Sequence, residues 1–311
     1  VNSALHLGDI SPNVRPRRKG TVMDIRALLM GLTFALIWSS AFTSARIIVT
    51  HAPPLAASSL RFFIAGCIGV AIARMMGQTW NLTRDQWRAT LIFGLCQNAI
   101  YLGLNFYAMQ TVEASLASII ASTMPLIVAF AGWIVFRDKL PPLGIIGLVL
   151  GITGVILIMS ARLDAGVDMF GVALCVIGAI ALTIATLSMR TMSSGGNLMM
   201  VVGLQMFVGA IVLGIASAFI ETIEVTPTPA FFAAFTYTVF IPGLAATWIW
   251  FALVARIGAT KAATFHFLNP FFGVAIAAAL LGERLGPQDI LGVTIITAGI
   301  LAVQVSRQAK S

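Results

Sequence analysis

The sequence predicts an all-α integral membrane protein of ten transmembrane helices, built as two inverted five-helix repeats around a central cavity. Three observations carry that prediction. Of the 311 residues, 59% are hydrophobic and only 10% are charged, against roughly 25% charged in an ordinary soluble domain; the mean hydropathy is +0.97. The apolar residues fall into ten runs, each close to the roughly 20 residues needed to cross a hydrocarbon core. The last five runs repeat the first five, so an odd number of crossings separates the two copies.

Composition also excludes. Charges this sparse cannot cover a globule of this length, whereas lipid solvates an apolar exterior. The net charge of +8 and the pI near 10.1 would suit nucleic acid if the basic residues formed one face, but they are scattered singly between apolar runs. Cys67, Cys96 and Cys175 lie inside those runs with no metal-ligand spacing, so neither a metal nor a cofactor is expected. Residues 1–26 are polar, with Arg15, Arg17, Arg18 and Lys19 clustered, and no apolar run precedes a small-residue cleavage site. A signal peptide is therefore not expected.

Charges, prolines and glycine clusters bound each span. The first runs from Ala27 to Val49, and the second, after Pro53 and Pro54, from Leu55 to Met76. The third spans Arg88 to Met109, and the fourth Ala114 to Phe136, ending at Arg137-Asp138-Lys139. The fifth runs from Pro142 to Ala161 and the sixth, after Asp168, from Met169 to Met189. The seventh follows Gly195-Gly196 and covers Leu198 to Ile220; the eighth covers Phe231 to Ala255. The ninth, Thr260 to Leu281, stops at Gly282-Glu283-Arg284, and the tenth covers Pro287 to Val305. This divides the chain into a tail (1–26), two repeats (27–161 and 169–306) and a second tail (307–311).

Placing the N-terminus inside leaves only Arg162 and Arg284 of the 19 basic residues facing out, with Arg46 and Arg61 inside spans. The positive-inside rule then puts both tails in the cytoplasm and the protein in the plasma (inner) membrane. The repeat has specific anchors. Pro125 matches Pro270 at an offset of 145, Gly147 matches Gly292, Gly154 matches Gly299, and Arg137-Asp138-Lys139-Leu140-Pro141-Pro142 matches Gly282-Glu283-Arg284-Leu285-Gly286-Pro287. Five spans per copy require opposite orientations. Inverted repeats mark carriers, because two opposed copies of one unit open a shared site first to one side and then to the other.

Trp38-Ser39-Ser40-Ala41-Phe42 in the first span, Ser59-Leu60-Arg61-Phe62 in the second, and the proline-centred fourth span ending in Phe136-Arg137-Asp138-Lys139-Leu140-Pro141 together resemble the drug/metabolite transporter superfamily, EamA type. Over residues 27 to 306 the order of motifs is similar to that of YddG-type amino acid exporters. The resemblance implies a basket of helices around a central cavity, with the fifth and tenth spans at the periphery, and export of amino acids, particularly aromatic and other bulky neutral ones.

Several residues are candidates for carrying transport. Arg61 costs roughly 2.5 to 3.5 kcal/mol on insertion scales at mid-bilayer. It has three readings: pairing with Glu113, snorkelling to the interface, or attraction of a substrate carboxylate. Snorkelling is the favoured reading of Arg46. Asn98, Tyr101 and Asn105 recur at i, i+3 and i+7, one stripe of an α-helix. They face inward, either as bonds between helices or as a polar cavity wall; Gly243 and Trp250 stand at the matching places of the other repeat. Pro125 and Pro270 free the carbonyls of Ala121 and His266 and kink their helices, as gating hinges or as static packing re-satisfied by Ser118 and Ser122. His266 is the one histidine inside a span, read as a neutral hydrogen-bonding group or a proton relay. Trp38, Trp248 and Trp250 are the tryptophans that can face a cavity, and Trp38 and Trp250, with Ser122, Phe267 and Asn269, complete the expected substrate contacts, whereas Trp80, Trp87 and Trp133 suit an interfacial belt. Gly144, Gly147, Gly151 and Gly154 form a stripe for close packing or for a homodimer through the fifth or tenth helix.

The expected function is thus a carrier or facilitator for small amphipathic solutes, with an amino acid as cargo, the bilayer as its other partner and no nucleic acid. Other metabolites or drugs on the same fold are the alternative; phosphorylated cargo would want more cavity cations than Arg61. An intramembrane enzyme lacks support, since no G-x-S-x-G, H-E-x-x-H or paired acid occurs within a span.

Overall fold

A computed structural model describes residues 24–135, 137, 140–164, 166–188, 197–257, 262 and 264–308. The Arg15 to Lys19 cluster and Thr260, where the sequence places the start of the ninth span, lie outside them. Among the described residues, nine helices are long and apolar enough to cross a membrane: α1 (Ile25–Val49), α2 (Pro54–Met75), α3 (Arg84–Ala108), α4 (Ala114–Val135), α5 (Pro142–Asp164), α6 (Met169–Ser188), α7 (Leu198–Ile220), α8 (Pro229–Val254) and α10 (Pro287–Ser306). A shorter apolar helix, α9 (Phe265–Leu281), stands in the ninth place. No strand occurs among the described residues.

Local signals set the ends. α3 begins four residues before the charge at Arg88 because Thr83 and Gln86 form a capping box: the Gln86 amide donates to Thr83 Oγ1 at 3.2 Å, and the Thr83 amide donates to Gln86 Oε1 at 2.9 Å. Thr228 caps α8, which opens with Pro229. Asp24 caps α1, accepting from the Ala27 amide at 3.2 Å, and the Arg256 guanidinium beside it holds its carboxyl below the ordinary value of 3.8. A depressed carboxylate stabilises above its unfolded value and loses that contribution as pH falls through the depressed one. Asp24→Asn is therefore expected to abolish a small decline of melting temperature below pH 4, read by differential scanning fluorimetry in detergent.

Helix packing displays the inversion. α5 lies along α10 and α2 along α7 in the two most extensive contacts. α1 packs on α8 and α9, while α6, its counterpart, packs on α3 and α4. Each first helix thus docks on the third and fourth helices of the opposite repeat, the exchange that a two-fold axis in the membrane plane imposes. The glycine stripe of α5 faces α10 inside the chain: a Cβ on Gly147 would stand 2.7 Å from the Gly299 carbonyl oxygen, and one on Gly154 2.8 Å from that of Gly292. Ile145, Ile152 and Ile156 on the other side of α5 are exposed, which puts this pair at the periphery.

On the side where α1 ends, the far side, the largest buried cluster joins both repeats through Ile48, Met109, Val112 and Leu116 of the first and Val172, Cys175, Val274 and Ala277 of the second, and it continues toward the N-side, where α1 begins, through Leu126, Ala129, Leu148, Leu182 and Val303. Two smaller groups stand apart from it on the N-side: Ala27, Leu253 and Ala262 form one, and Ala73, Met200 and Leu204 another. Trp87 and Trp133 lie exposed at the N-side ends of α3 and α4, and Trp80 is exposed in the loop between α2 and α3.

Polar links join the helices on the far side. Gly282 ends α9 in the left-handed region at φ 68° and turns the chain so that the Glu283 carboxylate accepts from the Ala114 and Ser115 amides at 2.8 and 3.0 Å, capping α4. Glu221, at the end of α7, caps α2 in the same way through the Leu55 and Ala56 amides, both at 2.9 Å. Arg162 bridges Glu113 of its own repeat and Asp289 of the other, the latter at 3.2 Å. The Thr111 hydroxyl donates to Asp168 at 2.6 Å and holds that carboxyl below its usual range.

Candidate functional site

The first residues to converge at mid-bundle come from opposite repeats. Trp38 of α1, Trp250 of α8 and His266 of α9 meet around Phe34, one turn before Trp38. Phe34 lies 4.8 Å from Trp250, 5.3 Å from His266 and 5.7 Å from Trp38 between ring centroids. His266 stands edge-on to Phe34 and Trp38, at 87° and 90°, the geometry in which a ring edge meets a π-face. Phe34 is buried, whereas Trp38, Trp250 and His266 retain accessible surface despite facing the other repeat.

Polar groups border this aromatic set. Asn269 Nδ2 lies 2.9 Å from His266 Nδ1, so the histidine bonds within its own helix. The Asn269 side-chain oxygen is buried without a partner, while its backbone carbonyl accepts from Ser39 Oγ at 3.2 Å. Ser40 and Tyr237 hydroxyls meet at 2.6 Å, and Thr238 donates to Ser44 at 2.8 Å, so α1 and α8 are joined by hydroxyls. Phe34 and Tyr237 were not picked out by the sequence, and Ser39 and Ser40 entered only as part of the first-span motif, not as site residues. For Phe34 a signal existed in its spacing of four from Trp38; for the others the contact is between helices distant in the chain.

The proposed polar stripe does not stay on one face. Gly94–Leu102 of α3 is a π-helical segment, and its extra residue per turn rotates the remainder of α3 relative to a continuous α-helix. Asn98 consequently turns to α7, donating to the Gln205 carbonyl at 3.0 Å. Asn105 faces α6, where a Cβ on Gly178 would stand 2.7 Å from its Nδ2, and donates back to the Tyr101 carbonyl at 2.8 Å. Tyr101 is buried at 1% exposure in the far-side cluster. Ser122 is buried in α4 and donates to the Ser118 carbonyl at 2.6 Å. Phe267 packs against the largest buried cluster. The structure thus brings together Trp38, Trp250, His266 and Asn269, and places Asn98, Tyr101, Asn105, Ser122 and Phe267 elsewhere.

Irregular backbone recurs at matched places. α8 carries its own π-helical segment, Val239–Ala245, which begins at the 145-residue offset from Gly94. α4 is interrupted at Thr123, and α9 opens in a 3₁₀ turn, Phe265–Leu268, that ends at the offset from Thr123. Pro125 and Pro270 each sit just after these breaks, at the start of a fresh α-helical segment, where a proline lacks no intrahelical bond. The freed His266 carbonyl accepts from the Asn269 amide. α1, α2, α5, α6, α7 and α10 carry no such break. Irregular backbone is therefore concentrated in the third and fourth helices of both repeats, beside the aromatic set.

Two expectations for the basic residues are corrected. Arg61 does not pair with Glu113, because Glu113 is taken by Arg162. Nor does it snorkel: it is 6% exposed, with its guanidinium 4.2 Å from the Phe62 centroid and 4.5 Å from that of Phe106. Two cation–π contacts of about 0.5–2 kcal/mol each do not offset a desolvation cost of several kcal/mol per buried ion. Arg46 does not reach for lipid headgroups either; its Nη1 donates to the Met109 carbonyl, where it complements the C-terminal end of α3.

No group of three or more potential metal ligands occurs among the described residues. The arrangement offers flat aromatic surfaces, an imidazole and an unpartnered amide oxygen between two opposed repeats. That chemistry suits a small solute with an apolar body and a few hydrogen-bonding groups.

Known proteins agree with the architecture. The EamA-like transporter family matches twice, over residues 25–160 and 169–304. The uncharacterized transporter YvbV of Bacillus subtilis is 23% identical over 286 residues, covering 92% of this chain and 93% of its own length. A probable amino-acid metabolite efflux pump of Salmonella typhimurium is 23% identical over 284 residues, 87% of this chain and 92% of its own. The aromatic amino acid exporter YddG of Ancylobacter novellus is 25% identical over 136 residues, 44% of this chain and 47% of its own. One solved crystal structure shares the fold with a TM-score of 0.64 at 19% identity, covering 92% of this chain and 99% of that one. With two family matches that together span most of its length, the chain is a multi-pass membrane protein that belongs to the EamA-like transporter family.

Proposed function

We propose that this transporter exports amino acids, chiefly aromatic and other bulky neutral ones, by alternating access from the N-side to the far side of the plasma (inner) membrane, with both tails cytoplasmic. The observation that carries it is the aromatic set of Phe34, Trp38, Trp250 and His266, contributed by both repeats. A bulky side chain stacks among these rings, and the free Asn269 oxygen accepts from the ammonium. The names of the Salmonella and Ancylobacter relatives support amino acids as cargo. Scarcity of acidic groups in the spans favours a facilitator over an exchanger that neutralises a buried carboxylate. A homodimer through α5 or α10 would use outward faces such as Ile145 and Ile152, since the glycines are consumed within the chain.

Counterflow of radiolabelled tryptophan in proteoliposomes, with and without a pH gradient, tests cargo and coupling together. Wild type is expected to exchange tryptophan equally in both. Loss of one aromatic contact, about 0.5–1.5 kcal/mol, lowers exchange up to about tenfold in Trp250→Ala or Trp38→Ala. Wild-type vesicles that exchange no amino acid would overturn the reading. The hinge role of Pro125 and Pro270 is tested separately: Pro125→Ala and Pro270→Ala are expected to slow turnover with little change in half-saturation, and unchanged flux in both removes it.

A further inference from the structure

We infer that Arg61 forms a second anion subsite, on the far-side half of the bundle, which takes the carboxylate of the cargo after it leaves the aromatic set. The inference rests on the proposed amino-acid cargo. It starts from an unbalanced group: Arg61 is 6% exposed, and its Nε and Nη2 have no hydrogen-bond partner. Those two atoms form one edge of the guanidinium, the side-on pair that a carboxylate engages with two parallel bonds. Two rings flank the group instead, with its Cζ 4.2 Å from the Phe62 centroid and 4.5 Å from that of Phe106. A ring offers no lone pair to those two N–H groups, so their edge is left for a planar anion.

Ser58 belongs to the same subsite. It stands three residues before Arg61, on the same face of α2, is completely buried, and its Oγ is also unpartnered. The hydroxyl adds a donor for the same anion. The chain does not supply that anion from the neighbouring acids. Glu113 and Asp289 hold Arg162, Glu221 caps α2 and Glu283 caps α4, while Asp168 takes the Thr111 hydroxyl.

The position gives the subsite a direction. Arg61 lies seven residues inside the start of α2, about 10 Å along the helix from the far side at 1.5 Å per residue. Phe106, 4.5 Å from its guanidinium, lies near the far end of α3 and belongs to the cluster that joins the two repeats there. Opening the far side exposes the Nε–Nη2 edge to whatever leaves the aromatic set, so an ammonium left at Asn269 and a carboxylate gained at Arg61 are successive holds on one zwitterion. A cargo without a carboxylate has no second hold.

The experiment uses the full chain, purified as wild type, Arg61→Lys and Arg61→Met. Thermal shift with 3-phenylpropionate, which has the carboxylate but not the amine, reads the subsite without transport. Wild type is expected to rise in melting temperature, Arg61→Met to show no rise, and Arg61→Lys an intermediate one. The ligand-free Arg61→Met protein is expected to melt no lower than wild type, because it loses an uncompensated buried charge. In proteoliposomes, Arg61→Met is expected to lower tryptophan counterflow at least tenfold, with competition by tryptamine unchanged. Full tryptophan flux in Arg61→Met, no 3-phenylpropionate shift in wild type, or a ligand-free melting temperature that collapses with the charge overturns the subsite. So does a wild-type shift produced by chloride alone and saturated before any carboxylate acts, which would make the anion a resident ion. Wild type that shows the 3-phenylpropionate shift but exchanges no tryptophan counts against amino acids as cargo, not against the subsite.

Discussion

Gly147→Val is expected to abolish recovery of a monodisperse protein. A Cβ at this position would lie 2.7 Å from the Gly299 carbonyl oxygen and 2.8 Å from the Val303 amide nitrogen, and both obstacles are backbone. Neither can rotate aside, so α5 and α10 must separate along their length. Overpacking costs typically 1–3 kcal/mol, and here the separation also forfeits the contacts of Gly151 and Gly154 in the same seam. A loss of about 3 kcal/mol or more is therefore expected, at the top of that range. Gly144→Ala is the control, because its new methyl would meet the side chains of Ser306 and Leu140, which can move. Size-exclusion profiles in detergent distinguish the two; a monodisperse Gly147→Val protein with wild-type melting would show that the α5–α10 contact is not what holds the repeats together.

That seam was legible in the sequence as a stripe of glycines, and so were the ten spans and their inversion, because lipid imposes length, apolarity and charge placement on each crossing. Which surface the stripe met was not legible: a glycine records that something comes close, not what. Part of the aromatic set was legible. Trp38, Trp250, His266 and Asn269 are conspicuous as bulky or polar groups within apolar spans, and they do converge. Asn98 and Asn105 parted because the stripe assumed 3.6 residues per turn, and the π-helical segment from Gly94 to Leu102 breaks that period. In α8 Pro242 lies inside the corresponding segment, but α3 has no proline there, so its irregularity had no comparable signal. Arg162 shows the other limit. Its partners Glu113 and Asp289 lie 49 and 127 positions away, a relation that only the folded bundle creates.

Glu283→Ala is expected to open the far side. Its carboxylate accepts from the Ala114 and Ser115 amides of the opposite repeat, and hydrogen bonds to a charged acceptor contribute about 1.5–3 kcal/mol each when buried. Both donors are at a helix N-terminus that water reaches once the cap is gone, so the lower figure applies, about 3 kcal/mol for the pair. Because the cap joins the two repeats across the far side, the loss falls on the far-side-closed state more than on the helices themselves. A change of that size shifts a two-state equilibrium by about a hundredfold. Val112, 0% exposed in the far-side cluster, provides the readout. In a variant with Cys67, Cys96 and Cys175 replaced, Val112→Cys is expected to resist a membrane-impermeant maleimide from the far side and to react at least tenfold faster when Glu283→Ala is added. Glu283→Gln, which keeps one acceptor oxygen but no charge, falls between. Equal protection of the cysteine with and without Glu283 would place the restraint on opening elsewhere, and Arg162 with its two carboxylates is then the group to remove next.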